Sequence, residues 1–281
     1  AASDVYKRQP WMDMELKDAQ VLVVKVGTST LTHDSGALDL WSMEHLVRTL
    51  SDLHGAGNEV ILVTSGAIAV GTAKLGLAER PKELRMKQAA AAVGQCRMMH
   101  IYDKLFSEYN RSVAQILLTG DDVDDPDRAE HLSGTFSALL EMGVIPIVNE
   151  NDSVSSAEIE TGRHKVLGDN DTLSAIVAKL CRADLLVLLS DIDGLYDADP
   201  KTHPEAKLLH QVRQLTPEIL EMAGGAGSWR GTGGMATKLS AARIAMSAGC
   251  DMVITNGKRT EDLYGIAQGA DIGTRFLANH A

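Results

Sequence analysis

Four short apolar runs in this chain each end in a small cluster of Gly, Ser/Thr, Lys or Asp. Val21-Leu22-Val23-Val24 leads into Lys25-Val26-Gly27-Thr28-Ser29. Val60-Ile61-Leu62-Val63 leads into Thr64-Ser65-Gly66-Ala67. Ile145-Pro146-Ile147-Val148 leads into Asn149-Glu150-Asn151-Asp152, and Leu185–Leu189 leads into Ser190-Asp191-Ile192-Asp193-Gly194. In open α/β folds, ligands bind beyond the carboxyl ends of parallel strands. Four strand ends carrying phosphate- and carboxylate-type chemistry therefore describe one shared site assembled from distant parts of the chain.

The segments between these runs fit that frame. Met43, Leu46, Val47, Leu50 and Leu53 fall at three- and four-residue spacing, which predicts a helix over 41–55 with Gly55 and Gly57 as its stop. Strand, helix and second strand make a βαβ unit, normally right-handed and parallel. Further along we expect a short helix over 66–76 and a long helical stretch from Pro81 to about Tyr109, broken or bent near Gly94. A strand at 113–118 precedes an acidic loop (Asp121, Asp122, Asp124, Asp125, Asp127), read as a solvated turn and helix start. A helix at 128–142, a strand at 144–148 and a polar hairpin or mobile flap over 153–168 follow. The remainder reads as helix 169–182, strand 184–189, a loop-rich stretch 191–234, helix 235–248, strand 251–255, helix 260–268 and a short strand 273–277. This βα alternation predicts an α/β fold with a mainly parallel central sheet. One continuous fold is expected over 14–281, with two lobes, 14–168 and 169–281.

Composition narrows the function classes. A formal net charge of −11 argues against a basic nucleic-acid-binding face. Cys96, Cys181 and Cys250 form no CxxC, so neither a disulfide framework nor a zinc ribbon is expected, and a reducing cytoplasm fits best. No apolar run approaches the ~18 residues of a membrane span. There is no HExxH, no GxSxG elbow, and no GxGxxG opening a helix after the first strand, so a dedicated metal site, a hydrolase and a dehydrogenase are all disfavoured. Asp4–Gln9 is what a translated transposon end looks like. Residues 1–13 are accordingly read as a scar or disordered tail, with a natural start at Met12 or Met14, and are set aside.

Five clusters carry the candidate chemistry. Lys25 lies in an otherwise apolar strand just before Gly27, where burial is costly unless the charge is paired or faces a ligand. Gly27 allows a phosphate close to the backbone. The alternative is a strand-end lysine reaching solvent. Ser65 opens a helix whose first amides are unpaired and accept anions, or it is a simple N-cap. Gly231-Thr232-Gly233-Gly234-Met235-Ala236-Thr237-Lys238 exposes backbone amides ahead of a helix with a lysine in its first turn, although its spacing is not that of a P-loop. A flexible glycine loop followed by a surface lysine is the other reading. Asp169-Asn170-Asp171 gathers more polar groups at a helix start than capping needs, so that Asp171 could fix two lysines while Asp169 and Asn170 hold an ammonium. Ser190 and Asp191 end the next strand and could contact a nucleotide.

Together VVKVGTSTLT, VTSGAIAVG, AAVGQ, PIVNENDSV, LGDNDTLSA, LLSDIDGLYDADP and GTGGMATK resemble the amino acid kinase family, and within it the branch acting on L-glutamate. The resemblance spans about 21–276. It implies a three-layer αβα sandwich and transfer of the ATP γ-phosphoryl group to the side-chain carboxylate of L-glutamate, the first step of proline biosynthesis. By residue-by-residue match, Lys25 and Lys238 would neutralise the transferred phosphoryl and Asp171 would orient them. Ser65, Asp152, Asp169 and Asn170 would hold glutamate. Lys25, Gly27, Ser190, Asp191 and the stretch Thr232, Gly233, Gly234, Met235, Ala236, Thr237 and Lys238 would hold ATP. Ser190 stands where the family usually has Thr, and it too is expected to act in catalysis. The resemblance also implies Mg²⁺ carried by ATP, proline as a possible feedback inhibitor, and a homo-oligomer, dimer or tetramer. It implies no further RNA-binding-like (PUA) domain within this chain, and it marks 128–136 as shorter than the family's usual stretch. Other readings are a sibling kinase acting on acetylglutamate, aspartate or carbamate, and a non-catalytic nucleotide or amino-acid sensor.

Overall fold

A computed structural model describes residues 20–154, 169–200, 202–223 and 234–278. In chain order the elements are β1 (Val21–Val26), α1 (Thr28–Leu31), α2 (Leu40–Gly55), β2 (Glu59–Val63), α3 (Ala67–Lys74), α4 (Leu84–Glu108) and β3 (Val113–Leu118). Then come α5 (Gly120–Asp124), α6 (Pro126–Glu141), β4 (Ile145–Glu150), α7 (Asn170–Leu180), β5 (Leu185–Ser190) and β6 (Gln211–Val212). The chain continues with α8 (Pro217–Ala223), α9 (Met235–Ser247), β7 (Asp251–Asn256), α10 (Asp262–Ala267) and β8 (Thr274–Phe276).

The strands form one 8-stranded sheet in the order β3-β4-β2-β1-β5-β7-β8-β6. All neighbours are parallel except β7 and β8. The four runs singled out in the sequence are the adjacent strands β4, β2, β1 and β5. Their carboxyl ends therefore share one edge of the sheet. Residues before 168 supply the half β3-β4-β2-β1, and residues after it supply β5-β7-β8-β6.

Alternation along β1 sorts the layers, because successive strand side chains point to opposite faces. Leu22, Val24 and Val26 pack with Met43, Leu46 and Leu50 of α2, Met98 and Tyr102 of α4, and Leu263 and Ile266 of α10. Val23 packs on the other face with Phe136 of α6, Leu173 and Val177 of α7, and Leu239 and Ala242 of α9. Helices cover both faces, as a parallel sheet with near-continuous apolar strands requires. Lys25 shares the parity of Val23, so its side chain emerges on the face covered by α7 and α9.

Several expectations are corrected. The long helix α4 is unbroken at Gly94. A Cβ there would sit 1.8 Å from the carbonyl oxygen of Ala67, and one on Gly71 would sit 1.7 Å from that of Ala90. These glycines let α3 and α4 touch backbone to backbone, which a local breaker rule does not see. The Gly27-Thr28-Ser29 turn is the start of α1, with Gly27 as N-cap. The acidic stretch is a helix start as expected, with Asp125 capping α6, but the turn ahead of it is the short helix α5. Thr119 and Asp122 form a capping box, and Asp125 accepts from the N–H groups of Asp127 and Arg128. The loop-rich stretch after Asp191 contains β6 and α8. Most of the expected 153–168 flap, the tail 1–13 and the glycine cluster 224–233 lie outside the described residues. No described helix is long and apolar enough to cross a membrane.

Candidate active site

At the carboxyl edge of the central strands lies a cleft of about 710 Å³. Lys25, Gly27, Ser65, Asp152, Asp169, Asn170, Asp171, Ser190, Asp191 and Lys238 all line it.

The centre of the cleft is Asp171. It sits in the first turn of α7, where the helix dipole favours negative charge. Asp169 is the N-cap, with its Oδ1 accepting from the N–H groups of Asp171 (2.7 Å) and Thr172 (2.9 Å). That cap fixes the first turn of the helix and with it the Asp171 side chain. The Nζ of Lys25 lies 2.6 Å from Oδ1 of Asp171, and the Nζ of Lys238 lies 3.0 Å from Oδ2. The hydroxyl of Thr237 lies 3.0 Å from the same Oδ2. Asp171 is 1% exposed, Lys25 12% and Lys238 8% by side chain. Burial pushes the Asp171 carboxyl up, but the two ammonium groups outweigh it, and the group is held below its ordinary value. Two cations meet at one carboxylate in a partly desolvated cleft, with both ammonium groups facing the space a ligand would enter. Such a site attracts an anion strongly.

Strands β1 and β2 end in hydroxyls. Ser65 Oγ donates to the carbonyl of Val26 (3.1 Å) and lies 3.3 Å from Thr28 Oγ1. Gly66, at φ 99°, is in the left-handed region, so a glycine is needed to turn the chain into α3. Behind it Thr64 Oγ1 meets the buried Tyr102 hydroxyl at 3.0 Å. Ser190 ends β5 and donates to Asp191 Oδ1 at 3.2 Å.

The other wall is acidic. Burial, reinforced by the neighbouring charge of Glu150 and opposed by Arg80, pushes the Asp152 carboxyl up to about 6. Glu150, Arg80, Lys87 and Thr28 line the cleft as well, and the sequence reading had assigned none of them a role. Glu150 could have been found from its place between Asn149 and Asp152. Arg80 and Lys87 approach from the turn before α4 and from its first turns, and no local pattern marks them.

Not every candidate meets at the cleft wall. Gly234 is the N-cap of α9, and Met235 packs against the core. Neither they nor Ala236 line the cleft among the described residues, and Thr237 reaches it only through Asp171. Thr232 and Gly233 lie outside the described residues. Also among the described residues, no three His, Cys, Asp or Glu side chains form a metal cage.

Residues 20–256 match the sequence model of the amino acid kinase family. The glutamate 5-kinase of Clostridium perfringens is 54% identical over 267 residues, covering 95% of this chain and 98% of that protein. The glutamate 5-kinase of Listeria monocytogenes is 52% identical over 95% of this chain and 96% of its own length. That of Caldanaerobacter subterraneus is 52% identical over 91% of this chain and 67% of its own length. Among solved structures, carbamate kinase from Giardia lamblia bound to AMP-PNP is similar with a TM-score of 0.63 at 17% identity, covering 93% of this chain and 99% of that one. The isopentenyl phosphate kinase product complex from T. acidophilum gives 0.58 at 18% identity, covering 91% and 99%. At such identities the likeness is one of fold.

Proposed function

The chain belongs to the amino acid kinase family, and within it to the glutamate 5-kinases, and from that premise we propose that it transfers the γ-phosphoryl group of ATP to the side-chain carboxylate of L-glutamate. The product is L-glutamyl 5-phosphate, which commits glutamate to proline synthesis. The observation that carries this reading is the pair of lysines gripping one carboxylate at the head of the cleft.

In the reaction a glutamate carboxylate oxygen forms a bond to Pγ, the bond from Pγ to the bridging oxygen breaks, and ADP leaves with that electron pair. A carboxylate is ionised near pH 7 and needs no general base. Catalysis then rests on positioning and charge stabilisation. Lys25 and Lys238 stabilise charge on the moving phosphoryl, and Asp171 holds both ammonium groups at the right spacing. Ser65, Asp152, Asp169 and Asn170 hold the amino acid, with the acidic wall taking its ammonium. Ser190, Asp191 and the 232–238 stretch hold the nucleotide. In this division the lobe 14–168 serves glutamate, joined by Asp169 and Asn170 at the start of the lobe 169–281, and the rest of that second lobe serves ATP. Mg²⁺ would enter on the ATP phosphates with several waters of its own, as this ion prefers, and Asp191 on the rim offers it an oxygen. Proline, which shares the amino-acid head of glutamate, would compete at the acidic wall. A homo-oligomer and a cytoplasmic location complete the proposal.

ADP release coupled to a spectrophotometric readout, run with L-glutamate, aspartate, N-acetylglutamate and carbamate, tests the reading. Turnover is expected with L-glutamate alone. Turnover with another of these acids but not glutamate would make the protein a sibling kinase, and none with any would make it a sensor.

A further inference from the structure

A chain of three side-chain amides runs from the interior to the cleft. Gln95, on α4, is 8% exposed, and Asn149, at the end of β4, is 1% exposed. The Nδ2 of Asn149 donates to Oε1 of Gln95 at 3.0 Å. The Oδ1 of Asn149 accepts from the Glu150 N–H at 2.9 Å and from Nδ2 of Asn170 at 3.5 Å. Asn170 lines the cleft, and its Oδ1 is buried with no partner among the described residues. Gln95 itself does not line that cleft. It lines an adjoining cavity of about 410 Å³ that shares Ala67, Glu150 and Asp152 with it.

The order of donors along this chain is fixed at Asn149. The Glu150 backbone N–H can only donate, so it takes the Asn149 oxygen, and the Asn149 NH₂ turns inward to Oε1 of Gln95, whose own Nε2 is buried with no partner among the described residues. With that oxygen outward, Asn170 must present its own NH₂ to Asn149, which leaves its carbonyl free for a ligand. A buried acceptor without a partner is costly, so a site that keeps one at its wall is built to receive a donor. Gly94, next to Gln95, lets α3 and α4 approach backbone to backbone.

We propose that Gln95 is a positioning residue for amino-acid recognition: through Asn149 it orients Asn170 so that the Asn170 carbonyl accepts a hydrogen bond from the substrate ammonium. The inference rests on the proposed kinase reading and deepens it. Turnover of glutamate by the wild-type protein tests that reading separately, whereas the variants below test Gln95 alone.

The test is a double-mutant cycle of Gln95→Leu and Asn170→Ala, read in the KM for glutamate, the KM for ATP, kcat and the melting temperature. Gln95→Leu should raise the glutamate KM by about tenfold or more, with the ATP KM and kcat changed far less. In the Asn170→Ala background the same substitution should add little, because coupled residues are non-additive. An unchanged glutamate KM, an equal rise in both KM values, or effects that multiply across the cycle would each overturn the proposal. If Gln95→Leu does not fold, Gln95→Met takes its place in the cycle. Failure of both to fold would make Gln95 a residue of the core and equally overturn it.

Discussion

Lys25 and Lys238 hold opposite oxygens of one carboxylate, at 2.6 and 3.0 Å from Oδ1 and Oδ2 of Asp171. One lysine comes from the central strand and the other from the first turn of α9. Nothing local in the sequence joins them. The parity of β1 sends Lys25 to the face covered by α7 and α9, and the N-terminus of α7 supplies the anion between them.

Lys238→Ala removes one cation from the transferred phosphoryl without touching the acidic wall. We expect kcat to fall by about 10²–10³, the scale for losing one preorganised transition-state contact. The dissociation constant for glutamate, measured by calorimetry, should change little. Near-normal turnover would remove the role given to this lysine.

Asp171→Asn keeps the shape and deletes the negative charge that both ammonium groups share. Breaking a buried ion pair costs on the order of 3–5 kcal/mol, and urea denaturation at neutral pH should show a loss near the lower end because the cleft is open. The pH dependence has a definite sign. The folded carboxyl titrates below its ordinary value, so its stabilisation is complete above about pH 4 and fades as pH falls through the folded value. The Asn variant should lack that acid-dependent component, and an identical acid limb in both proteins would contradict the assignment.

Asp152, with its carboxyl pushed up to about 6, gives a second pH signature. If its charged form receives the ammonium of glutamate, glutamate affinity should strengthen as pH rises from 5 to 7. The substrate's own side-chain carboxyl titrates near 4.3 and stays ionised across that window. Asp152→Asn should weaken binding at pH 7 and flatten the profile. A wild-type profile that is already flat would place the ammonium elsewhere.

Gly94→Ala and Gly71→Ala each drive a methyl group into a facing helix backbone, with approaches of 1.8 and 1.7 Å. Backbone cannot swing aside as a side chain can. Each variant should lose about 1–3 kcal/mol or more, seen as a lowered urea midpoint. A midpoint unchanged or raised, as an ordinary Gly→Ala helix substitution would give, would show that α3 and α4 are not in backbone contact.

The layers and the sheet could be read in the sequence because apolar period and strand-end chemistry are local signals. The four polar strand ends pointed to one shared site, which the adjacency of β4, β2, β1 and β5 provides, and Met43, Leu46 and Leu50 marked their helix by spacing alone. Gly94 was misread as a break because its reason is a partner helix, which no window around it contains. The acidic 121–127 stretch was legible as a helix start, since Asp125 caps α6, but the short helix α5 ahead of it was missed because the Thr119–Asp122 capping pattern was not weighed. Gln95 lies in the AAVGQ stretch that carries the resemblance, but nothing local gave it a role. Its place depends on the depth of α4 against β4, a tertiary distance. Arg80 and Lys87 were missed for the same reason.

The central claim is that one anion site lies between Lys25 and Lys238. A crystal structure of the protein with L-glutamate and a non-hydrolysable ATP analogue tests it most directly. The account predicts a γ-phosphate within hydrogen-bond reach of both Nζ atoms, with a glutamate carboxylate oxygen in line behind it. A γ-phosphate touching neither lysine, or seated in a different cleft, would contradict it.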